Sequence, residues 1–202
     1  MVRLGTILAA CGAVGGLAVW NEKLERGGGV LSGALGGETR YYRWWGEDLA
    51  YTVAGDPGAE PLVLVHGIYA GASSFEFRKN FGELSESFRV YALDLLGCGM
   101  SGRPRKRYEP EDVTSQIEDF VREEVGERAH LVASSLSGAL AIPAAVRSPR
   151  LFKKLVLVCP TGYASLDRRS GLLGDAIYWL FLAPVIGDSL YHAIVSRRGI
   201  RY

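Results

Sequence analysis

Neither sign of charge is in surplus: 23 Lys and Arg stand against 22 Asp and Glu, for a formal net charge of +1. No global field therefore gathers nucleic acid or acidic ligands. The one basic cluster, Arg103-Pro-Arg-Lys-Arg107, follows a turn and reads as a solvated loop. Cysteine is scarce and scattered. Cys11, Cys98 and Cys159 form no CxxC pair, so the spacing offers neither a disulfide framework nor a zinc site. At the amino terminus, Leu4 to Trp20 carries no charge. As a helix that run is about 25 Å long, short of the roughly 30 Å hydrocarbon core of a bilayer.

Hydrophobic residues make up 48% of 202, enough for one folded domain with a substantial core. The organisation expected is a hydrophobic anchor or signal over 1–20, a Gly-rich linker over 21–40, a core over 41–166 and a helical segment over 167–202. The anchor implies a membrane tether or export. Positive charge on both of its flanks leaves its orientation open.

The core alternates. Tyr41–Trp45 and Leu49–Val53 are rich in β-formers and separated by Gly46, which predicts an antiparallel hairpin. Pro61–Val65 is a continuous apolar strand, of the kind buried on both faces. Further strands are expected at Phe88–Asp94, Ala129–Ala133 and Lys154–Cys159. Helices are expected near Ser74–Ser85, over Val113–Val125, and over Leu136–Val146 with an interruption at Pro143. Strand–helix alternation implies βαβ units and a mainly parallel sheet. From Gly171 onward the pattern is helical and very apolar, punctuated by Pro184 and Gly187.

Chemistry concentrates in three loops that follow strands. The first is His66-Gly67-Ile68-Tyr69-Ala70-Gly71, the second Asp94-Leu-Leu-Gly97-Cys-Gly99, and the third Ala133-Ser-Ser135-Leu-Ser137-Gly138. In the third, Ser135 has small residues two positions to either side, as a sharp strand-to-helix turn requires. Ser134 has Val132 and Leu136 at those positions and fits poorly; Ser137 lies inside the helix. A Ser-rich turn that merely caps the helix is the alternative.

In this order and context the three loops resemble the α/β-hydrolase superfamily, its esterase- and lipase-like members with a cap, over about residues 41 to 202. The resemblance implies an α/β fold with a mainly parallel sheet flanked by helices, incomplete at its C-terminal side, with the start of a helical cap. It implies Ser135 as nucleophile, the backbone N–H groups of Ile68 and Leu136 as oxyanion donors, and His66, Gly67 and Asp94 as residues shaping the site. The reaction implied is hydrolysis of a carboxylic ester through an acyl-enzyme. The substrate would be a small, apolar acyl compound, with no metal, no organic cofactor and no nucleic acid. The oligomeric state is left open.

The superfamily order is Ser, then acid, then His. Downstream of Ser135 the one histidine is His192, in an apolar helical stretch, and Asp167, Asp175 and Asp188 follow no strand. The expectation is therefore an amino-terminal part of a longer hydrolase, with a sheet edge left unpaired. The competing expectation is an inactive module that binds an apolar ligand or a partner.

Overall fold

The computed structural model describes residues 4–26, 35–162 and 171–194. Parts of the expected linker and cap, residues 27–34, 163–170 and 195–202, lie outside the described residues, Asp167 among them. The chain divides into two compact units, one of residues 31–166 and one of residues 1–30 with 167–202.

The larger unit is built on a six-stranded sheet. Its strands are β1 (Glu38–Trp44), β2 (Glu47–Ala54), β3 (Pro61–Val65), β4 (Arg89–Leu93), β5 (Ala129–Ser134) and β6 (Phe152–Val158), in the order β1-β2-β4-β3-β5-β6. β1 and β2 form the expected hairpin, turning through Trp45 and Gly46 at φ 48° and 89°. β3 to β6 run parallel. All five residues of β3 are buried, because helices cover both faces. Val63 and Val65 pack with Ile117, Phe120, Ala141 and Ala144 on one face. Leu62 and Leu64 pack with Phe77 and Phe81 on the other.

Helix positions depart from the sequence expectation in three places. Residues 74–85 do not form one helix. A 3-10 turn at Ser74–Phe77 precedes the short α2 (Phe81–Ser85), since Ser74 is held by Asp94 from another loop. α3 (Pro110–Asp119) starts earlier than apolar spacing suggested: proline suits the first turn, and Asp112 accepts the Glu109 N–H at 2.8 Å. It continues as a wider π-helical turn through Val125, ended by Gly126 at φ 75°. α4 (Ser135–Arg147) runs through Pro143 without a break. Its small buried face, Ala141 and Ala144, packs into the core and offsets the one backbone hydrogen bond that proline cannot make.

β6 is paired only with β5 among the described residues, and its Val156 and Val158 are exposed. β4 lies on one side of β3 and β5 on the other, so the chain reverses direction across the sheet between β3 and β5. Ligands of open α/β sheets bind beyond the carboxyl ends of strands at such a reversal. The loop after Val65 and the helix that begins directly after Ser134 leave the sheet at that point.

The smaller unit holds α1 (Leu4–Arg26), α5 (Leu172–Leu182) and α6 (Ile186–Ile194). The α1 helix extends past residue 20, the expected end of the anchor.

Candidate active site

β5 passes into α4 with no intervening loop, and the residue at the junction is Ser135, at φ 52°. A side chain in that left-handed region costs about 1–3 kcal/mol, so the surroundings must impose it. They do so through close approaches at two glycines. A Cβ on Gly67 would lie 3.1 Å from Ser135 Cβ; one on Gly138 would lie 3.2 Å from the Ala133 carbonyl oxygen and 3.3 Å from Pro160 Cβ. The Thr161 N–H donates to the Ser135 carbonyl at 3.1 Å, tying the elbow to the loop after β6. The Ser135 hydroxyl is left partly exposed, 3.1 Å from the Thr161 hydroxyl. Ser134 is buried, and the Ser137 side chain is fully buried. Of the three serines, only Ser135 presents its oxygen outward.

Two backbone N–H groups, of Leu136 and Ile68, are the expected oxyanion donors. The Leu136 N–H lies in the first turn of α4, where no carbonyl four residues back is helical, and the Ser134 side chain makes no cap. The Ile68 N–H has no backbone acceptor among the described residues. Its loop is fixed by the preceding residue, since Gly67 N–H donates to the Glu76 carboxylate at 2.9 Å.

His66 holds the same loop from inside. Its Nδ1–H donates to the Gly67 carbonyl at 2.7 Å, and its Nε2 accepts the Leu95 N–H at 3.1 Å. Both ring nitrogens are thus committed to backbone. Burial pushes the imidazole below its ordinary pKa of 6.5, although Asp94 and Glu76 pull the other way. The folded protein therefore binds this proton less readily than the unfolded chain. The associated stability is complete above pH 6.5 and is lost as pH falls through that value. The urea midpoint is expected to fall more between pH 7.5 and 5.5 in the parent chain than in His66→Asn; equal falls would show that His66 does not carry the effect.

Asp94 is buried at the end of β4 and acts as a staple. One carboxylate oxygen accepts the Ser74 N–H at 2.6 Å and the other the Met100 N–H at 2.8 Å. The Ser101 hydroxyl donates to the Asp94 carbonyl and accepts the Ala50 N–H at 2.8 Å. The loops after β3 and β4 are thereby locked together beside the crevice.

A sequence model of the alpha/beta hydrolase family matches residues 62–199. The chain belongs to that family. It is 30% identical over 138 residues to the uncharacterised hydrolase YugF of Bacillus subtilis, covering 68% of this chain and 50% of that one. It is 36% identical over 107 residues to the 1-acylglycerol-3-phosphate O-acyltransferase ABHD5 of Homo sapiens, covering 51% and 30%. This hydrolase-family chain thus spans half the length of the first relative and less than a third of the second. Among solved structures, the 2-hydroxy-6-oxo-6-phenylhexa-2,4-dienoate hydrolase of Rhodococcus sp. strain RHA1 aligns with a TM-score of 0.54 at 30% identity, over 61% of this chain and 47% of that one. A bacterial membrane phospholipase A aligns with a TM-score of 0.61 at 22% identity, over 95% and 72%, a likeness of fold.

Within the unit that carries Ser135, no described histidine is hydrogen-bonded to the Ser135 hydroxyl. His66 is committed as above. His130 sits at the opposite, amino-terminal end of β5, paired with Leu62 in register, and its Nε2 meets the Glu60 carboxylate at 3.0 Å. His192 falls on α6, in the other unit. Thr161 and Glu76 were missed by the sequence reading. Thr161 had a weak signal, as the middle of the Pro160-Thr-Gly162 turn after a strand; Glu76 had none. Removing the hydroxyl in Thr161→Val is expected to change the rate of Ser135 modification about fivefold, the worth of one net hydrogen bond. Thr161→Ser should restore the parent rate, and a Val variant reacting at that rate would make the contact incidental.

Proposed function

We propose that this chain carries the nucleophile and oxyanion half of a serine hydrolase acting on carboxylic esters of apolar acyl groups. The observation that supports it most is the placing of Ser135, outward-facing at φ 52° on a strand-to-helix junction beside Gly67. The Ser135 oxygen would attack the ester carbonyl carbon, and the carbonyl electron pair would move onto its oxygen. The N–H groups of Ile68 and Leu136 would stabilise that charge, an effect worth about 3–4 kcal/mol per donor in a serine protease. Collapse would expel the alkoxide and leave an acyl group on Ser135. The proton from Ser135 would go to a base outside the set of His66 and His130, as their contacts require.

The same contacts favour a second reading, a module that binds an apolar acyl ligand without turning it over. The two separate in one experiment. The purified chain is incubated with p-nitrophenyl butyrate, digested, and the peptide holding Ser135 is weighed. A butyryl adduct on Ser135 supports the hydrolase reading. Saturable binding of the ester with no adduct supports the binding module.

A further inference from the structure

Among the residues with described side chains, the helices of the smaller unit bury little apolar surface. On α5, four consecutive apolar residues, Trp179, Leu180, Phe181 and Leu182, are all exposed, Trp179 the most. Leu172 is 91% exposed and Trp179 68%. A contiguous exposed apolar patch of this kind marks a surface that meets a partner or lipid. On α1 every residue from Gly12 to Trp20 is exposed, and Trp20 at the end of that run is followed by Asn21-Glu-Lys23.

The unit is nonetheless built. Asn21, buried, donates from its amide to the Val185 carbonyl at 3.0 Å and accepts from the Ser189 hydroxyl at 3.1 Å, joining α1 to α6. The corner between α5 and α6 bends by 99°. Gly187 makes it possible, since a Cβ there would lie 1.9 Å from the Phe181 carbonyl oxygen. Among the described residues no single helix is long and apolar enough to cross a membrane. The sequence from Gly171 to Ser196 contains no Lys or Arg, yet Arg168 and Arg169 precede it and Arg197, Arg198 and Arg201 follow it.

We infer that α5 and α6, joined to α1, form a docking element that lies in the surface of a bilayer carrying anionic headgroups. α5 is most exposed at Leu172, Leu173 and Trp179, and a helix lying in a bilayer surface buries one such apolar face. Aromatic rings beside polar residues suit the headgroup boundary, and bracketing arginines suit anionic lipid. The inference does not depend on chemistry at Ser135.

The full chain is floated with vesicles of phosphatidylcholine, with and without phosphatidylglycerol. Binding is expected to be stronger with phosphatidylglycerol and to weaken about tenfold in Leu173→Glu and in Trp179→Glu, with α1 intact. Brominated phosphatidylcholine should quench the parent chain more than Trp179→Phe, a conservative change that guards against misfolding in the Glu variants. Equal quenching in the two, or unchanged binding by both Glu variants, would leave α1 as the whole anchor and overturn the inference. So would equal binding to vesicles without phosphatidylglycerol. Self-association without vesicle binding would assign the surface to a second copy instead.

Discussion

Ser135→Ala is expected to abolish capture of a fluorophosphonate probe by the folded chain, while Ser134→Ala and Ser137→Ala leave it within about a factor of two. The contrast is large because the three oxygens differ in access and not in type. Ser134 and Ser137 are buried, and of the three only the Ser135 hydroxyl is partly exposed, beside the Thr161 hydroxyl. In a serine protease the nucleophile is worth about 10⁶ in kcat, so even a site reacting far below full rate leaves a measurable gap. Gel fluorescence and peptide mapping read the result. Labelling that persists in Ser135→Ala, or that moves to Ser134, would refute the assignment of the nucleophile.

Gly99→Ala is expected to destabilise the fold by about 3–5 kcal/mol, a large share of the 5–15 kcal/mol typical of a domain. Two effects add. The residue is at φ 48°, and a Cβ there would lie 2.0 Å from a carboxylate oxygen of Asp94. That carboxylate is buried and accepts the Ser74 and Met100 N–H groups, so it cannot swing aside without orphaning both. Gly46→Ala is the control: φ is positive there as well, at 89°, but nothing lies within 4 Å of the added Cβ. Urea unfolding should place Gly46→Ala about 1 kcal/mol below the parent, the cost of backbone strain alone. Similar losses in the two variants would show that the Asp94 staple has no special rigidity.

The strands were legible because burial writes itself into composition. Leu62 to Val65 reads as a strand covered on both faces, and is one. The three chemical loops were legible for a related reason: each follows a strand at once, and Gly67, Gly99 and Gly138 mark where backbone or side chains crowd together. Contacts made across the sheet left no such trace. Thr161 meets Ser135 only because β6 lies beside β5, a fact of strand order and not of local sequence. Glu76 meets Gly67 only because the segment after β3 folds back as a 3-10 turn. Pro143 misled in the other direction, since tertiary packing of α4 outweighs one missing hydrogen bond.

The direct passage of β5 into α4 also fixes where this chain can tolerate a change of length. One residue inserted between Ser134 and Ser135 would rotate the following helix by about 100° about its axis. Gly138, Ala141 and Ala144 would turn out of the core together, and larger neighbours would turn in. No nearby loop could absorb the error, because none separates the two elements. An inserted residue is therefore expected to unfold the chain at this junction and to be tolerated in an exposed loop such as Arg103–Arg107.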